Sequence, residues 1–436
     1  MQKIKLSILL CALGFAFYGC KDDTGLEESQ KQQFIKYYGV AAEGNDMVQT
    51  NDGGFLMIGT TDKGVSKDIY IVKTDAFGNR QWTQTYDAFD FGLDDIANAV
   101  VLRPDGGFGV VGTIIEPYRD LQDTTIEKTI QRSYILSLNY LGNMQFEKIF
   151  GDLSLDRIFD ERGNGIILSS SGEYIMACHQ THKNDLTDKG IGRKISVYDG
   201  EILGNFEAQK LDGNGALIDF AFTDVIEYPA GSDGFIYLGS TKDISNNVEG
   251  VSGVLIGLLE FGNKIDPPNT TANEGVFGSI NTDIGISMVL NSDGKLICVG
   301  VTGNPGDTPE ENDFKGIMYE ANPANVADPP SEINPDVHYT GKGGNTEFHD
   351  IIVIDEGYII AGLTVDGGKK EQMYLVKADK SGNILWKRTY GSLGFDIAKT
   401  VCQTSDGGYA IFGTSTDNRG NTVMCLIKTD GAGNIN

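Results

Sequence analysis

Two histidines and an acidic residue form the most metal-like motif of this sequence. His179 and His182 are three residues apart in His-Gln-Thr-His, and Asp185 follows in the same polar stretch. Imidazole and carboxylate groups are ligands for zinc and other transition metals. A separation of three residues in a loop is unspecific, however, so we predict neither a metal site nor a cofactor.

Aromatic and charged residues in two other polar segments suit contacts with a sugar or a peptide. Tyr118-Arg119-Asp120 and Phe348-His349-Asp350 each combine a ring, a basic group and a carboxylate. The alternative is that these side chains only anchor their own loops. The candidate ligand-binding residues of the sequence are Tyr118, Arg119, His179, His182, Phe348 and His349.

We predict no catalytic residues, because the common enzyme motifs are missing. The sequence has no Gly-x-Ser-x-Gly, no His-Glu-x-x-His and no Gly-rich phosphate loop. Glycoside hydrolysis needs a pair of carboxylates about 5 to 9 Å apart, and 61 Asp and Glu side chains leave such a pair open. A polysaccharide hydrolase or lyase that uses acidic residues at the mouth of a central channel is therefore an alternative.

A repeated unit must position these residues. A turn of the type Asp-Gly-Gly-aromatic precedes an apolar run at 52–55, 105–108 and 406–409, and four weaker copies occur at 171–174, 233–235, 293–295 and 355–358. Glycine supplies the positive φ of tight hairpins, and Asp and Asn tolerate it. Each copy predicts a four-stranded antiparallel meander, whose strands we call a, b, c and d.

The apolar composition of strands b and c predicts how the repeats pack. Runs such as Phe55-Leu-Met-Ile-Gly59 have no polar face, so both faces of each sheet must be covered. A closed ring gives every repeat two similar neighbours, which is the β-propeller arrangement. Small residues lie eight positions before the a–b turn in five copies, as crowding at a central axis would require: Gly44, Ala97, Gly163, Gly285 and Ala398.

The two ends of the sequence predict how the ring closes. Residues 34–39 resemble a strand d, whereas the seventh copy shows strands a to c only. An N-terminal strand that completes the last blade removes an exposed sheet edge. The predicted fold class is all-β: a seven-bladed β-propeller of four-stranded antiparallel blades over residues 34–436, with the last blade closed by the N-terminal strand.

The repeats resemble those of secreted bacterial β-propeller proteins, in which Asp-Gly-Gly-Tyr is followed by Lys-x-Asp-x-x-Gly-Asn-x-x-Trp. The resemblance covers residues 34–436 and is clear where Lys377 precedes the turn at 379–383 and Trp386. The segment from strand c to strand d is also similar to quinoprotein repeats, which place a docking Trp after a turn glycine. Most copies here lack the Trp, so quinone binding is not carried over. Trp82 and Trp386 are predicted to pack between blades.

The N-terminal segment resembles the signal sequence of a bacterial lipoprotein. An apolar run at 6–17 precedes Gly19-Cys20, as in a lipobox, although Phe17 and Tyr18 are bulkier than usual. Lys21-Asp22-Asp23 resembles the export signal of surface lipoproteins of the Bacteroidetes group. The resemblance implies a signal peptide at 1–19, a lipidated Cys20 with a polar tether at 20–33, and an outer-membrane location facing the cell exterior. An ordinary secretory signal is the alternative.

Charge and cysteine placement restrict the partners. A net charge of −26 argues against nucleic acid and against adsorption to anionic membranes. We therefore expect contact with a membrane only through the lipid on Cys20. Four further cysteines fall within predicted strands, where we expect buried free thiols: Cys178, Cys298, Cys402 and Cys425.

Loop variation predicts which face of the ring is functional. The a–b turns are short and uniform, whereas the b–c and d–a connections vary, and binding residues usually lie on variable loops. The sequence therefore predicts a monomeric surface lipoprotein that binds a glycan or an outer-membrane or envelope protein through the b–c/d–a face. A structural or adhesive component of the envelope is a further alternative. Two long c–d loops, 263–275 and 321–336, lie on the opposite face and leave a second site open.

Overall fold

The structure is a computed structural model that describes most of the chain after residue 31. The predicted signal peptide, Cys20 and Lys21-Asp22-Asp23 lie outside the described residues, as do 263–272, 325–329 and 334–336 of the long c–d loops. The described residues are 32–119, 127–151, 159–184, 186–208, 210–211, 217–228, 234–242, 252–258, 273–277, 282–304, 313–324, 330–333, 345–365, 370–391 and 394–435.

The described chain consists of β-strands, turns and one short 3-10 segment at Ala88–Asp90. Among these residues, no helix has the length and apolar composition needed to span a bilayer. The strands in chain order are β1 (Phe34–Tyr38), β2 (Ala42–Gln49), β3 (Phe55–Asp62), β4 (Lys67–Thr74), β5 (Arg80–Tyr86), β6 (Asp95–Leu102), β7 (Phe108–Arg119), β8 (Glu127–Leu138), β9 (Met144–Phe150), β10 (Phe159–Leu168), β11 (Tyr174–His182), β12 (Asp188–Ile195), β13 (Ile202–Ala208), β14 (Lys210–Leu211), β15 (Leu217–Glu227), β16 (Phe235–Lys242), β17 (Ser252–Leu258), β18 (Asn273–Phe277), β19 (Thr282–Leu290), β20 (Leu296–Asn304), β21 (Asp313–Ala321), β22 (Ser331–Glu332), β23 (Thr346–Ile354), β24 (Gly357–Val365), β25 (Glu371–Asp379), β26 (Ile384–Tyr390), β27 (Ile397–Gln403), β28 (Tyr409–Thr416) and β29 (Thr422–Thr429).

These strands pair as six four-stranded sheets and one five-stranded sheet, all antiparallel. In chain order the blades are β2–β5, β6–β9, β10–β13, β15–β18 with the two-residue β14 on its edge, β19–β22, β23–β26, and β27–β29 with β1. We number them blades 1 to 7 and call the four main strands of each a to d. The prediction of an all-β propeller built from four-stranded antiparallel blades is confirmed.

The N-terminal strand lies in the same sheet as the last strands of the chain. Strand β1 pairs antiparallel with β29, so that Phe34 is opposite Lys428 and Tyr38 is opposite Met424. Strand a of each blade contacts strand a of the next blade, and β27 of blade 7 contacts β2 of blade 1. The a strands therefore form the inner wall around the propeller axis.

The apolar core lies in layers between the blades. Seven clusters of buried side chains occur among the described residues, and each combines residues of two neighbouring blades. Leu56 of blade 1 packs with Val110 of blade 2, and Phe412 of blade 7 packs with Met47 of blade 1. Burying one such side chain contributes about 1.5–3 kcal/mol to the free energy of folding. Both apolar faces of strands b and c therefore stabilise the ring.

Every strand a carries a β-bulge at the same place. The register against strand b shifts by one residue, which leaves one residue of strand a unpaired and turns the following side chains. The bulged residues are Asn45, Asn98, Asn164, Thr223, Ile286, His349 and Lys399.

The residue before each bulge lies in the contact between two blades. A Cβ atom added to Gly44 would lie 2.5 Å from the carbonyl oxygen of Gly413, on strand b of blade 7. Blade 6 has Phe348 at this position, and a Cβ atom on Gly316 of blade 5 would lie 2.7 Å from its ring. The neighbouring blade therefore sets the size of this residue. Crowding at the axis, which the sequence suggested as the reason for small residues, is not the cause.

In blades 1, 2, 6 and 7, an aromatic residue of strand d contacts the c–d turn of the next blade. A Cβ atom on Gly433 would lie 2.9 Å from Trp386, and the Tyr390 hydroxyl donates to the Gly433 carbonyl at 2.7 Å. Gly433 has a φ of +74°, so glycine is required here for conformation as well as for space. Trp82 packs in the layer between blades 1 and 2. Both tryptophans are inter-blade residues, as predicted, and all four described cysteines are free thiols.

Replacing Trp386 tests this attachment. The side chain is half-buried, so we expect Trp386→Ala to lower the free energy of unfolding by about 2–3 kcal/mol, below the roughly 3–5 kcal/mol of a fully buried aromatic residue. Trp386→Phe should lose less than half of that amount, because blades 2 and 7 place Phe146 and Phe34 at this position. Guanidinium unfolding measures both variants. Equal losses for Phe and Ala would contradict the packing role of the ring.

Candidate functional site

The two ends of the blades differ in how firmly their connections are held. The a–b turns are short and closed by main-chain hydrogen bonds, such as Gly407 N–H to Thr404 O at 2.9 Å. Lysines of strand c pair with the turn acids: Lys73 with Asp52 at 2.9 Å and Lys428 with Asp406 at 2.6 Å. Burial opposes ionisation of Asp406, but hydrogen bonds from Lys428 and Thr404 outweigh it and lower its pKa. These lysines therefore belong to the repeat.

The b–c end carries longer hairpins, and Tyr118 lies on one of them. Strands β7 and β8 continue to Arg119 and from Glu127, so Tyr118 is in a strand and not in a loop as the sequence suggested. Lys183 of blade 3 lies 5.5 Å from the Tyr118 ring and donates to Thr129 O at 2.7 Å. Tyr118 thus contributes to the link between blades 2 and 3. The Arg119 side chain is outside the described part of the structure.

His179 and His182 also lie in a strand, since β11 extends to His182, and their placement in a loop was wrong. Side chains three residues apart in a strand point to opposite faces. His179 Nε2 lies 2.9 Å from Asp188 Oδ1, whereas the His182 ring contacts the Phe159 ring in a tilted arrangement, with centroids 4.9 Å apart. The two imidazoles do not converge, and the described residues contain no group of metal-binding side chains. Asp185 is not among them.

Phe348 and His349 belong to strand a of blade 6, where the sequence suggested a loop. Phe348 is fully buried between blades 5 and 6, so its assignment as a ligand contact was wrong. His349 is the bulged residue: its Nδ1 lies 2.7 Å from Ala398 O of blade 7, and its Nε2 lies 3.3 Å from Glu347 Oε2. The first contact joins two blades.

The same inter-blade hydrogen bond recurs around the axis, and we call it the bulge clasp. In each case the bulged side chain donates to the main-chain carbonyl that precedes the bulge of the next blade. The distances are 2.7 Å for Asn45 to Ala97 O, Asn98 to Gly163 O and Asn164 to Phe222 O, and 2.8 Å for Thr223 to Gly285 O. His349 occupies the same position, which assigns it a structural role.

Three aspartates follow the bulges and accept main-chain N–H groups of the next blade. Val100 N donates to Asp46 at 2.8 Å, and Val401 N donates to Asp350 at 2.8 Å. Hydroxyl groups at the equivalent positions of blades 5 and 7 link the acids into a belt. Its members are Asp224, Ser287, Asp350, Thr400 and Asp46, and Ser287 and Thr400 lie 3.2 and 2.9 Å from Asp350. We call this set the aspartate belt.

Burial shifts the ionisation of the aspartate belt. Desolvation raises the pKa of Asp46 and of Asp224 to about 7, although main-chain hydrogen bonds oppose it and Asp350 adds to it. Desolvation also raises the pKa of Asp350. Because each carboxylate accepts hydrogen bonds from the neighbouring blade, the aspartates of the belt have a structural role in the inner wall.

A second axial group lies nearer the b–c/d–a end. We define the axial cluster as Glu43, Glu347 and Lys399, which come from blades 1, 6 and 7. Glu43 is 3.4 Å from Lys67, the first residue of strand c in blade 1. Burial lowers the pKa of the Lys399 ammonium, while the nearby carboxylates of Glu347 and Glu43 act in the opposite direction.

Reasoning from the sequence missed the axial cluster. Its residues are as far as 356 positions apart, from Glu43 to Lys399, and only ring closure brings them together. An alignment of the seven a strands on their bulges would have shown Lys399 as the one ammonium group at a position that is otherwise Asn, Thr, Ile or His.

Comparison with known proteins shows a fold and no family. No protein-family model matches the sequence, and no curated protein matches it. The structure is similar to a PL25 ulvan lyase, with a TM-score of 0.58 and 9% identity over 91% of this chain and 96% of that one. A structure of that enzyme bound to -[GlcA(1-4)Rha3S]- gives the same values. A mutant NanB sialidase from Streptococcus pneumoniae has a TM-score of 0.44 and 12% identity over 92% of this chain and 70% of that one.

The aspartate belt predicts a pH dependence of stability. The folded-state pKa of about 7 for Asp46 and Asp224 lies above the roughly 4 of an unfolded chain. The folded state then binds more protons between these values, so stability falls as the pH rises through this window. We expect a higher Tm at pH 5 than at pH 8. Changing Asp46, Asp224 and Asp350 to Ser, which blade 5 has at the equivalent position, should reduce this difference in Tm. An unchanged difference in Tm would contradict the role of the aspartate belt.

The bulge clasp predicts which replacement of His349 is tolerated. His349→Asn restores the side chain that blades 1 to 3 use, and we expect stability within about 0.5 kcal/mol of the original. His349→Ala leaves the Ala398 carbonyl without its donor and should cost about 1–2 kcal/mol. Urea unfolding of the pair measures the effect. If Asn costs as much as Ala, His349 has a role beyond the clasp.

Proposed function

We propose that the protein is a surface-exposed glycan-binding protein whose site is the axial cluster and the surrounding b–c/d–a face. The observation that carries this proposal is that the carboxylates of Glu43 and Glu347, from blades 1 and 6, act electrostatically on the ammonium of Lys399 in blade 7. Acidic and basic side chains brought together in this way can accept and donate hydrogen bonds to sugar hydroxyl groups. An envelope protein is the alternative occupant of the same face.

The fold supports this proposal in a general way. The ulvan lyase to which the structure is similar was solved with a sugar fragment bound. That likeness concerns architecture, so the case for a glycan in this chain depends on its own axial residues.

We also infer that the seven sheets form a closed seven-bladed ring with β1 as strand d of blade 7, on the basis of the β1–β29 pairing and the contact between β27 and β2.

The direction of β1 supports an orientation on the cell surface. Phe34, the first residue of β1, is opposite Lys428 and packs on the c–d turn at Gly78, so β1 begins at the a–b/c–d end. The proposed tether at 20–33 joins the propeller at that end. With a lipid on Cys20 in the outer membrane, the b–c/d–a face points away from the membrane and toward external glycans.

A second candidate function is glycan cleavage at the same cluster. Glu43 and Glu347 are both electrostatic neighbours of Lys399, and paired carboxyl groups perform general acid and base catalysis in glycoside hydrolysis. Hydrolysis produces new reducing ends and elimination produces unsaturated products. Either product, released from a bound polysaccharide and lost in Glu43→Gln or Glu347→Gln, would favour the enzyme.

Calorimetric titration with neutral and acidic polysaccharides tests binding. We expect saturable binding to at least one class and a loss of about tenfold or more in the double variant Glu43→Gln/Glu347→Gln, since a hydrogen bond to a charged group contributes about 1.5–3 kcal/mol. The control is Lys295→Met/Glu320→Gln, which removes an exposed ion pair of 3.3 Å at the opposite end. Absence of binding to every polysaccharide would overturn the proposal and favour a protein partner.

A further inference from the structure

Unfavourable backbone angles are concentrated at the b–c/d–a end of the described structure. Among the described residues, positive φ at a residue other than glycine occurs at Ala41, Phe89 and Leu186, with values of 53°, 56° and 58°. All three lie in d–a or b–c connections, whereas the described a–b and c–d turns use glycine for this angle. A bulky side chain at positive φ is unfavourable. The backbone conformation therefore does not account for the presence of an aromatic side chain at Phe89.

The Phe89 ring is held from within the protein and exposed on its outer side. It stacks on Phe91, with centroids 5.8 Å apart and ring planes at 20°, and meets the edge of Tyr134 at 6.3 Å. Phe91 and Tyr134 belong to the apolar layer between blades 1 and 2. These distances are typical of favourable aromatic pairs. Phe89 nevertheless remains 39% exposed, so a fixed aromatic surface faces solvent at the b–c/d–a end.

A polar cleft lies at the same end of blade 1. Its volume is about 110 Å³, which has room for several water molecules and hence for the hydroxyl groups of one sugar unit. Lys67 Nζ lies 3.4 Å from Glu43 Oε1, and these side chains are 38% and 52% exposed, so a ligand can reach both. The cleft is lined by Ala41, Glu43, Thr60, Asp62, Lys67 and Thr422.

The cleft and the Phe89 ring lie on connections that are joined to each other. The Lys67 main-chain N–H donates to Asp94 Oδ1 at 2.8 Å, and Asp94 is the last residue of the d–a connection that carries Phe89. The start of that connection is fixed by the Ala88 N–H, which donates to Asp95 Oδ2 at 2.6 Å. The b–c hairpin of blade 1 and the connection to blade 2 are therefore held as one surface.

We infer that this surface is a glycan subsite, in which the cleft binds the hydroxyl groups of one sugar unit and the Phe89 ring stacks on another unit. This inference rests on the proposed function and specifies its ligand. The C–H groups of a sugar ring suit the negative face of an aromatic ring, and the carboxylates and ammonium of the cleft accept and donate hydrogen bonds to hydroxyl groups. Two carboxylates beside one ammonium, on a chain of net charge −26, favour a neutral glycan over a polyanion.

A neutral cello-oligosaccharide, whose equatorial hydroxyl groups leave C–H groups on both ring faces, tests this inference. Calorimetry should show saturable binding, and weaker binding of the same molecule oxidised to uronic acids at C6. Phe89→Asn should weaken binding about 3- to 10-fold, the factor that an aromatic contact provides, while the unfolding temperature stays within a few degrees because Asn tolerates positive φ. Lys67→Met should weaken binding about tenfold.

Phe395→Asn is the matched control. Phe395 is an exposed phenylalanine in the d–a connection between blades 6 and 7, but the Lys370 ammonium lies over its ring at 4.0 Å from the centroid. The control should therefore leave the affinity for the oligosaccharide unchanged. A loss in Phe395→Asn as large as that in Phe89→Asn would overturn the specific role of Phe89.

The outcomes separate this inference from the proposed function. Unchanged affinity in Phe89→Asn or in Lys67→Met, or tighter binding of the oxidised form, would overturn the subsite and leave glycan binding standing. Binding of other polysaccharides but not of the cello-oligosaccharide would do the same, and failure of every polysaccharide would overturn both proposals. If Phe89→Asn does not fold, Phe89→Trp decides: its emission should shift on titration with the oligosaccharide, and a shift no larger than that of the original protein overturns the inference.

Discussion

The inner wall of this propeller depends on one recurring hydrogen bond, from a bulged side chain of strand a to a carbonyl of the next strand a. Apolar layers hold the blades together, but packing alone does not fix how one sheet is placed against the next. A main-chain carbonyl enclosed between blades must find a donor, and Asn45, Asn98 and Asn164 supply it with the same geometry at 2.7 Å. The bulge is required because it directs the donor sideways, along the ring.

That requirement brings polar and ionisable groups to the axis. The bulge also turns the following residue, and Asp46 and Asp350 use this position to accept N–H groups of the neighbouring blade. Carboxylates so enclosed lose solvation, which is why the pKa of Asp46 rises to about 7 despite the hydrogen bonds that oppose the shift. Acidic groups at the axis therefore have a structural explanation, and acidity by itself does not mark a site there.

The sequence predicted the features that depend on local pattern and missed those that depend on strand pairing. Asp-Gly turns, apolar strands and the position of Trp386 recur with the repeat, so the blades and their contacts followed from the spacing. His179 and His349 were placed in loops because polar stretches look like loops, whereas strand pairing of His179 itself, and of the residues on either side of His349, keeps both in β11 and β23. The bulge was visible only indirectly, through the small residue that precedes it in five copies.

Exceptions to a repeat are more informative about function than the repeat itself. His349 differs in type from Asn45 but makes the same hydrogen bond, so its chemistry is absorbed by the structure. Lys399 differs in type and makes no such bond, and Thr414 takes over the contact with Gly44. The inner wall therefore does not depend on the side chain at position 399 for this hydrogen bond, and that position can differ from the rest of the series.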